Sequence, residues 1–195
     1  LVISPFVIRN YIHFDKIIIV KSLGYNLWKG NNQFSTVDGY ENFNNVEFHN
    51  LKNKIDNIKK DQFYEIERDN IFLKEAKNNI ITYPLNYFNL FIKKLFSYYF
   101  IDLDSKYPNY YNFFHIFPVL LLSIFSFPGL FIFLRKIKFD NKCLGIYFFS
   151  NLVIFSIFFI LPRYKLAILP IQIIFAAYFI NFILVKFYNK KDLSL

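Results

Sequence analysis

Methionine is absent from the 195 residues, cysteine occurs once, at Cys143, and arginine four times, at Arg9, Arg68, Arg135 and Arg163. A lone cysteine excludes a disulfide-stapled scaffold. The missing methionine, with a start at Leu1-Val2-Ile3, predicts a fragment of a longer chain. With so few arginines, the formal net charge of +9 comes mainly from lysine. Glycine, proline and alanine are scarce while Asn, Ile, Phe, Tyr and Lys abound, the bias of AT-rich coding DNA. Part of the basic pI near 9.4 is therefore compositional background. The basic residues are scattered along the chain, whereas a nucleic-acid surface needs them gathered on one face, so no nucleic-acid partner is expected. Repeats and low-complexity linkers are also absent.

What is abundant is apolar. The chain is 55% hydrophobic and 23% aromatic, with 28 Phe and 15 Tyr, and its mean hydropathy is +0.27. That excludes disorder, which needs low hydrophobicity, and exceeds what a small soluble core can bury. Three uncharged runs carry the excess, at about 113–134, 143–161 and 166–185. A spanning helix needs about 20 mainly apolar residues, and none of the three lies near the start as a signal peptide would. The expected fold class is an all-α integral membrane protein, a multi-span helical bundle, with 112–187 holding three transmembrane helices. Arg135, Lys136, Lys138 and Lys142 join the first two runs, and Lys186, Lys190 and Lys191 follow the third. Basic loops stay in the cytoplasm. Residues 135–142 and the tail 188–195 are thus expected inside, with 9–111 and the 162–165 hairpin outside.

Residues 1–8 read as the end of a truncated transmembrane span stopping at Arg9-Asn10. The following extracytoplasmic region shows turn signals at Lys29-Gly30-Asn31 and Asp38-Gly39, and 16–20 suits a strand or an extended loop. From about Leu51 the pattern is helical, with Phe63, Ile66, Leu73, Ala76 and Ile80 on one face. Thr82-Tyr83-Pro84 interrupts it, proline suiting the first turn of the next helix. That helix, about 85–100, is apolar nearly all round except Lys93-Lys94 and is expected along the membrane surface.

No P-loop, dinucleotide fingerprint, HExxH or cysteine pair is present, and His13, His49 and His115 are spaced too widely for a metal site. No metal-ligand residue is assigned, no cofactor is evident, and metal dependence stays open. Two stretches stand out: Arg9-Asn10-Tyr11 leading to Tyr25-Asn26-Leu27-Trp28-Lys29-Gly30-Asn31-Asn32, and Pro162-Arg163-Tyr164-Lys165 running to Pro170. With Glu75-Ala76, Tyr83-Pro84 and Lys93-Lys94 between them, this order resembles the C-terminal part of the GT-C class of membrane glycosyltransferases, in the branch of the protein O-mannosyltransferases and lipid A aminoarabinose transferases. The likeness covers roughly residues 5–187.

The resemblance implies a truncated GT-C-like bundle in the bacterial inner membrane. Such an enzyme moves a sugar from a polyprenyl-phosphate donor to an extracytoplasmic protein, lipid or glycan acceptor. The expected catalytic carboxylate would lie upstream of Leu1, so no catalytic residue is assigned; Asp38, Glu41, Glu47, Asp102 and Asp104 match no catalytic position. Arg163 and Lys165, with Tyr164 beside them, suit a lipid-linked phosphate at headgroup depth, though cations at a helix end also simply snorkel. Trp28, Asn31 and Asn32 suit sugar or acceptor contacts, though they are equally ordinary turn and interface residues. The alternatives are a non-enzymatic membrane accessory subunit, or a transporter or flippase of lipid-linked sugars; the latter needs ionisable residues within its spans, and these runs have none.

Overall fold

The computed structural model describes residues 3–17, 21–135 and 139–191. Among them all the regular structure is helical, with no strand. The helices are α1 (Ser4–Phe14), α2 (Leu23–Asn31), α3 (His49–Asp56), α4 (Tyr64–Thr82), α5 (Pro84–Tyr99), α6 (Phe113–Arg135), α7 (Phe139–Ile157) and α8 (Leu169–Lys191). Short 3₁₀ turns at Val46–Phe48 and Pro162–Ala167 precede α3 and α8. Residues 18–20 of the expected strand, 136–138 of the basic loop and 192–195 of the tail lie outside the described residues.

The first half is built on α2 and α4. Ser22, at the N-cap of α2, makes no side-chain cap bond, so the open backbone donors at that end need another acceptor. Asp69 of α4, itself buried, supplies it: Oδ1 accepts from the Tyr25 amide at 2.9 Å. Lys21 lies 3.6 Å from the other oxygen. Trp28, one turn on, is fully buried with Phe43, Phe48 and Phe72 around it, ring centroids 5.0–5.2 Å away. The buried face of α4 is Ile66, Asp69, Phe72 and Ala76, a 3-3-4 spacing that keeps one side of the helix on the core.

The turn expected at Lys29-Gly30-Asn31 is instead the last turn of α2. Gly30 is there for a close approach: a Cβ would stand 2.0 Å from the Phe158 carbonyl oxygen. The Asn31 amide donates to the carbonyls of Leu27 and Ile157, both at 2.8 Å, tying α2 to the end of α7. The turn at Asp38-Gly39 is present, with Gly39 at φ +83°. Helix α1 runs straight through Arg9-Asn10 to Phe14, beyond the expected membrane exit.

Pro84 opens α5, and its two ends differ. The first turns are largely exposed, whereas Lys94, Ser97, Tyr98 and Tyr99 are buried. The expectation of a helix lying wholly on a membrane surface is corrected: the C-terminal end of α5 enters the bundle of α6, α7 and α8. Tyr98 meets Phe155 at 5.3 Å. Tyr99 meets Phe148 at 5.9 Å, and its hydroxyl pairs with Ser126 Oγ at 2.8 Å. The Tyr99 carbonyl accepts from Ser123 of α6 and Gln172 of α8, both at 2.9 Å.

Helices α6 and α8 form the most extensive helix pair. They run parallel, Gly129 and Phe133 of one meeting Phe175 and Tyr178 of the other. Among the described residues, two helices are long and apolar enough to cross a membrane: Phe113–Arg135, of 23 residues, and Leu169–Phe187, of 19. The third expected span, 143–161, stops being helix four residues early: α7 runs Phe139–Ile157. Its 19 residues cover about 28 Å at 1.5 Å per residue. The helix stops because the next residues are used elsewhere: the Ile160 amide donates to the Val37 carbonyl at 2.9 Å, and the Phe158 carbonyl accepts from Lys94.

Candidate functional site

Two cavities lie at opposite ends of α2. The first, about 390 Å³, is polar and sits where the α2 C-terminal loop meets the α4–α5 bend. Asn86, Tyr87, Leu90 and Lys93 of α5, with Tyr83 at its N-cap, are related by three- and four-residue spacings (83/86, 83/87, 86/90, 87/90, 90/93), which puts them on one side of the helix. Asn79, four residues before Tyr83, continues that face across Pro84, and Asn89 flanks it. Opposite stand Asn31, Asn32, Gln33 and Ser35.

The two walls differ in kind. Asn31 spends its amide on backbone carbonyls and its oxygen on Lys94. Asn32 donates to the Trp28 and Tyr40 carbonyls at 3.2 and 2.7 Å and accepts from the Phe34 amide at 3.0 Å. Ser35 donates to the Lys29 carbonyl at 2.9 Å. That wall is rigid and already hydrogen-bonded. Among the described residues, the side chains of Asn79, Asn86, Asn89, Tyr83, Tyr87 and Lys93 make no hydrogen bond or ion pair within the protein. Burial raises the Tyr87 pKa, which keeps its phenol a donor.

Lys94 sits behind the rigid wall with no solvent exposure. Its ammonium donates to the Gly30 carbonyl at 2.7 Å, Asn31 Oδ1 at 3.0 Å and the Phe158 carbonyl at 2.5 Å. Loss of hydration pulls its pKa down to about 7. One lysine thereby joins α2, α5 and the end of α7. The neighbouring Lys93, about 100° round the helix, faces the cavity instead. The sequence signal was a lysine three and four residues before the buried Ser97 and Tyr98; the adjacent pair alone did not say which of the two goes in.

The second cavity, about 350 Å³, is apolar, lined by Ile154, Phe155, Phe158, Phe159 and Tyr164 with Ser22, Leu23 and Asn26 of α2 at its edge. Arg163 is exposed, its guanidinium 5.6 Å from the Tyr164 ring centroid. Lys165 is buried and its ammonium donates to the Phe100 carbonyl. Burial lowers its pKa to about 8, partly opposed by Asp102.

The six residues singled out in the sequence therefore separate. Tyr164 lines the apolar cavity and Arg163 stays exposed over its ring, while Lys165 is committed to the backbone. Trp28 lies in the aromatic core rather than at a surface. Asn31 and Asn32 border the polar cavity with their side chains occupied. Among the described residues no cluster of His, Cys, Asp and Glu could hold a metal ion.

No protein-family model matches the sequence, and no curated protein or solved structure is significantly similar to it.

Proposed function

We propose that the chain is part of a membrane glycosyltransferase that takes a sugar from a polyprenyl-phosphate carrier and passes it to an extracytoplasmic protein, lipid or glycan. The observation that supports this reading best is the exposed Arg163 guanidinium over Tyr164, beside an apolar cavity. A guanidinium can hold a phosphate through two parallel hydrogen bonds. An apolar cleft next to it suits the first isoprene units of the same lipid. The two long apolar helices add to this, since only 28% and 22% of them is buried within the protein. Phe114 and Phe187 are 85% and 69% exposed, and an apolar face of that kind calls for lipid around it. The proposal sets the chain in a bacterial inner membrane with residues 9–111 outside, as the basic loops suggest.

A narrower reading has its own support. Asp38 Oδ2 accepts from Ser105 Oγ and the Lys106 amide, Asp69 caps α2, and Glu41 takes bonds from Tyr25 and Lys29. Carboxylates so engaged favour a part that receives the donor lipid while the base comes from elsewhere, which an accessory subunit would also do.

The test is transfer from radiolabelled undecaprenyl-phosphate hexoses by membranes carrying the full natural protein. Replacing Arg163 with Ala removes one charge-assisted contact, so KM for the donor should rise about tenfold or more with the fold intact. Transfer kinetics unchanged by that replacement would remove the donor role. Donor binding without any transfer would leave the accessory reading.

A further inference from the structure

The polar cavity at the α4–α5 bend has no part in that donor reading, and its chemistry is different. Ligand sites in proteins typically enclose about 300–1,000 Å³, and this one, about 390 Å³, falls at the small end. Three amides, at Asn79, Asn86 and Asn89, and two phenols, at Tyr83 and Tyr87, border it without partners inside the protein. Each amide offers two donors and an acceptor, and each phenol offers one donor and an acceptor. Such a set matches a ligand that is itself dense in hydroxyls, each both donor and acceptor. Tyr83 and Tyr87 add flat ring faces for the C–H side of a sugar ring. The opposite wall is held by its own hydrogen bonds, so little ordering is needed when a ligand enters.

Charge narrows the class further. Among the described residues, Lys93 is the one ionisable residue besides the two tyrosines that borders the cavity, and no carboxylate does. An ammonium on the ligand would meet Lys93 with nothing to neutralise it, whereas a neutral ring meets no such penalty.

We infer that this cavity binds an uncharged hexose unit, as a free sugar or as part of a glycan or glycolipid, and discriminates against amino sugars. Asn79, Asn86 and Asn89 read its hydroxyls, Tyr83 and Tyr87 pack on its ring, and Lys93 hydrogen-bonds an oxygen. The inference does not depend on the donor proposal, because Arg163 borders neither wall.

The experiment is saturation-transfer NMR on the full chain in phosphatidylcholine nanodiscs, avoiding maltoside detergents that would compete. The probes are methyl α-mannoside, maltose and, as the cationic control, glucosamine. A neutral probe should saturate with Kd on the order of 1–10 mM, and glucosamine should bind at least several-fold more weakly. Asn86→Leu and Tyr87→Ala, both on exposed or half-exposed positions, should each weaken neutral-sugar binding about tenfold. Emission from Trp28, the single tryptophan, reports in the same samples that the fold is kept. Arg163→Ala should leave the sugar signal unchanged, and its loss of donor use would be scored separately. Absence of saturable binding by both neutral probes and by the same hexose offered on a glycolipid would overturn the inference. So would equal or tighter glucosamine binding, or neutral binding indifferent to both cavity variants. A cavity that answers only when hexose is offered on a glycolipid, and still loses that signal in Asn86→Leu, identifies the source as lipid-linked and upholds the site.

Discussion

Lys94 shows how a single residue can hold three elements at once. Its burial has a definite pH consequence. The folded chain binds this proton less tightly than the unfolded chain, where lysine titrates near about 10.4. Between the folded pKa of about 7 and that value, the unfolded state carries more protons, so stability is lowest below pH 7 and rises as pH climbs. Lys165, lowered to about 8 by the same loss of hydration, acts in the same direction. Thermal unfolding in nanodiscs, followed by Trp28 emission, should therefore show a higher midpoint at pH 9 than at pH 6. Lys94→Met should make that slope shallower. It should also lower the midpoint at pH 9, because the Gly30 and Phe158 carbonyls and Asn31 Oδ1 lose their donor, at about 1–3 kcal/mol for each buried group left unpaired. An identical slope in wild type and variant would show that Lys94 does not titrate in this range. None of this was legible in Lys93-Lys94 as letters, because two adjacent lysines differ only in which side of α5 meets the bundle.

At the scale of elements, the boundaries set by local chemistry were readable and those set by tertiary contact were not. Pro84 ends α4 and begins α5 for reasons internal to the backbone, and the sequence places that joint correctly. By contrast, Lys29-Gly30-Asn31-Asn32 has the composition of a turn yet lies in and just after α2, since Gly30 is required by the Phe158 carbonyl and Asn31 by two backbone oxygens. Apolar character at 158–161 suggested more helix, but those residues bond to the Val37 turn and to Lys94. The α6–α8 pair depends on the same kind of close approach. A Cβ on Gly129 would lie 1.8 Å from the Phe175 carbonyl oxygen, a backbone atom that no rotamer change can move. Gly129→Ala should force the helices apart and cost about 2–3 kcal/mol or more. Gly145→Ala is the contrast, because its Cβ would have only Phe133 Cε1 at 4.0 Å. There the change should be neutral or stabilise by about 0.4–1 kcal/mol through the unfolded chain. Midpoints of thermal unfolding for the two variants should move in different directions, and equal losses would contradict the close α6–α8 packing.

For the whole molecule, the long apolar runs announced that helices would pack together with much apolar surface left outside. Where the third apolar run stops being helix was not legible, because hydropathy registers residues 158–161 without registering that their backbone is engaged elsewhere. The direction of the helices gives the arrangement a test. The short connection from α7 to α8 makes them antiparallel, so the start of α7 lies at the opposite end of the bundle from α2–α5. Cys143, the single cysteine, is exposed near that start. Val46, in the first half of the chain, is 76% exposed. In intact bacterial cells an impermeant maleimide should spare Cys143 and label a Val46→Cys chain whose Cys143 is replaced by Ser; in inverted membrane vesicles the pattern should reverse. The same pattern with sides exchanged would turn the protein over and put Arg163 on the cytoplasmic face, where an extracytoplasmic transfer could not use it. Release of the chain by alkaline carbonate would remove the bilayer altogether, and the exposed faces of α6 and α8 would then need a protein partner in place of lipid.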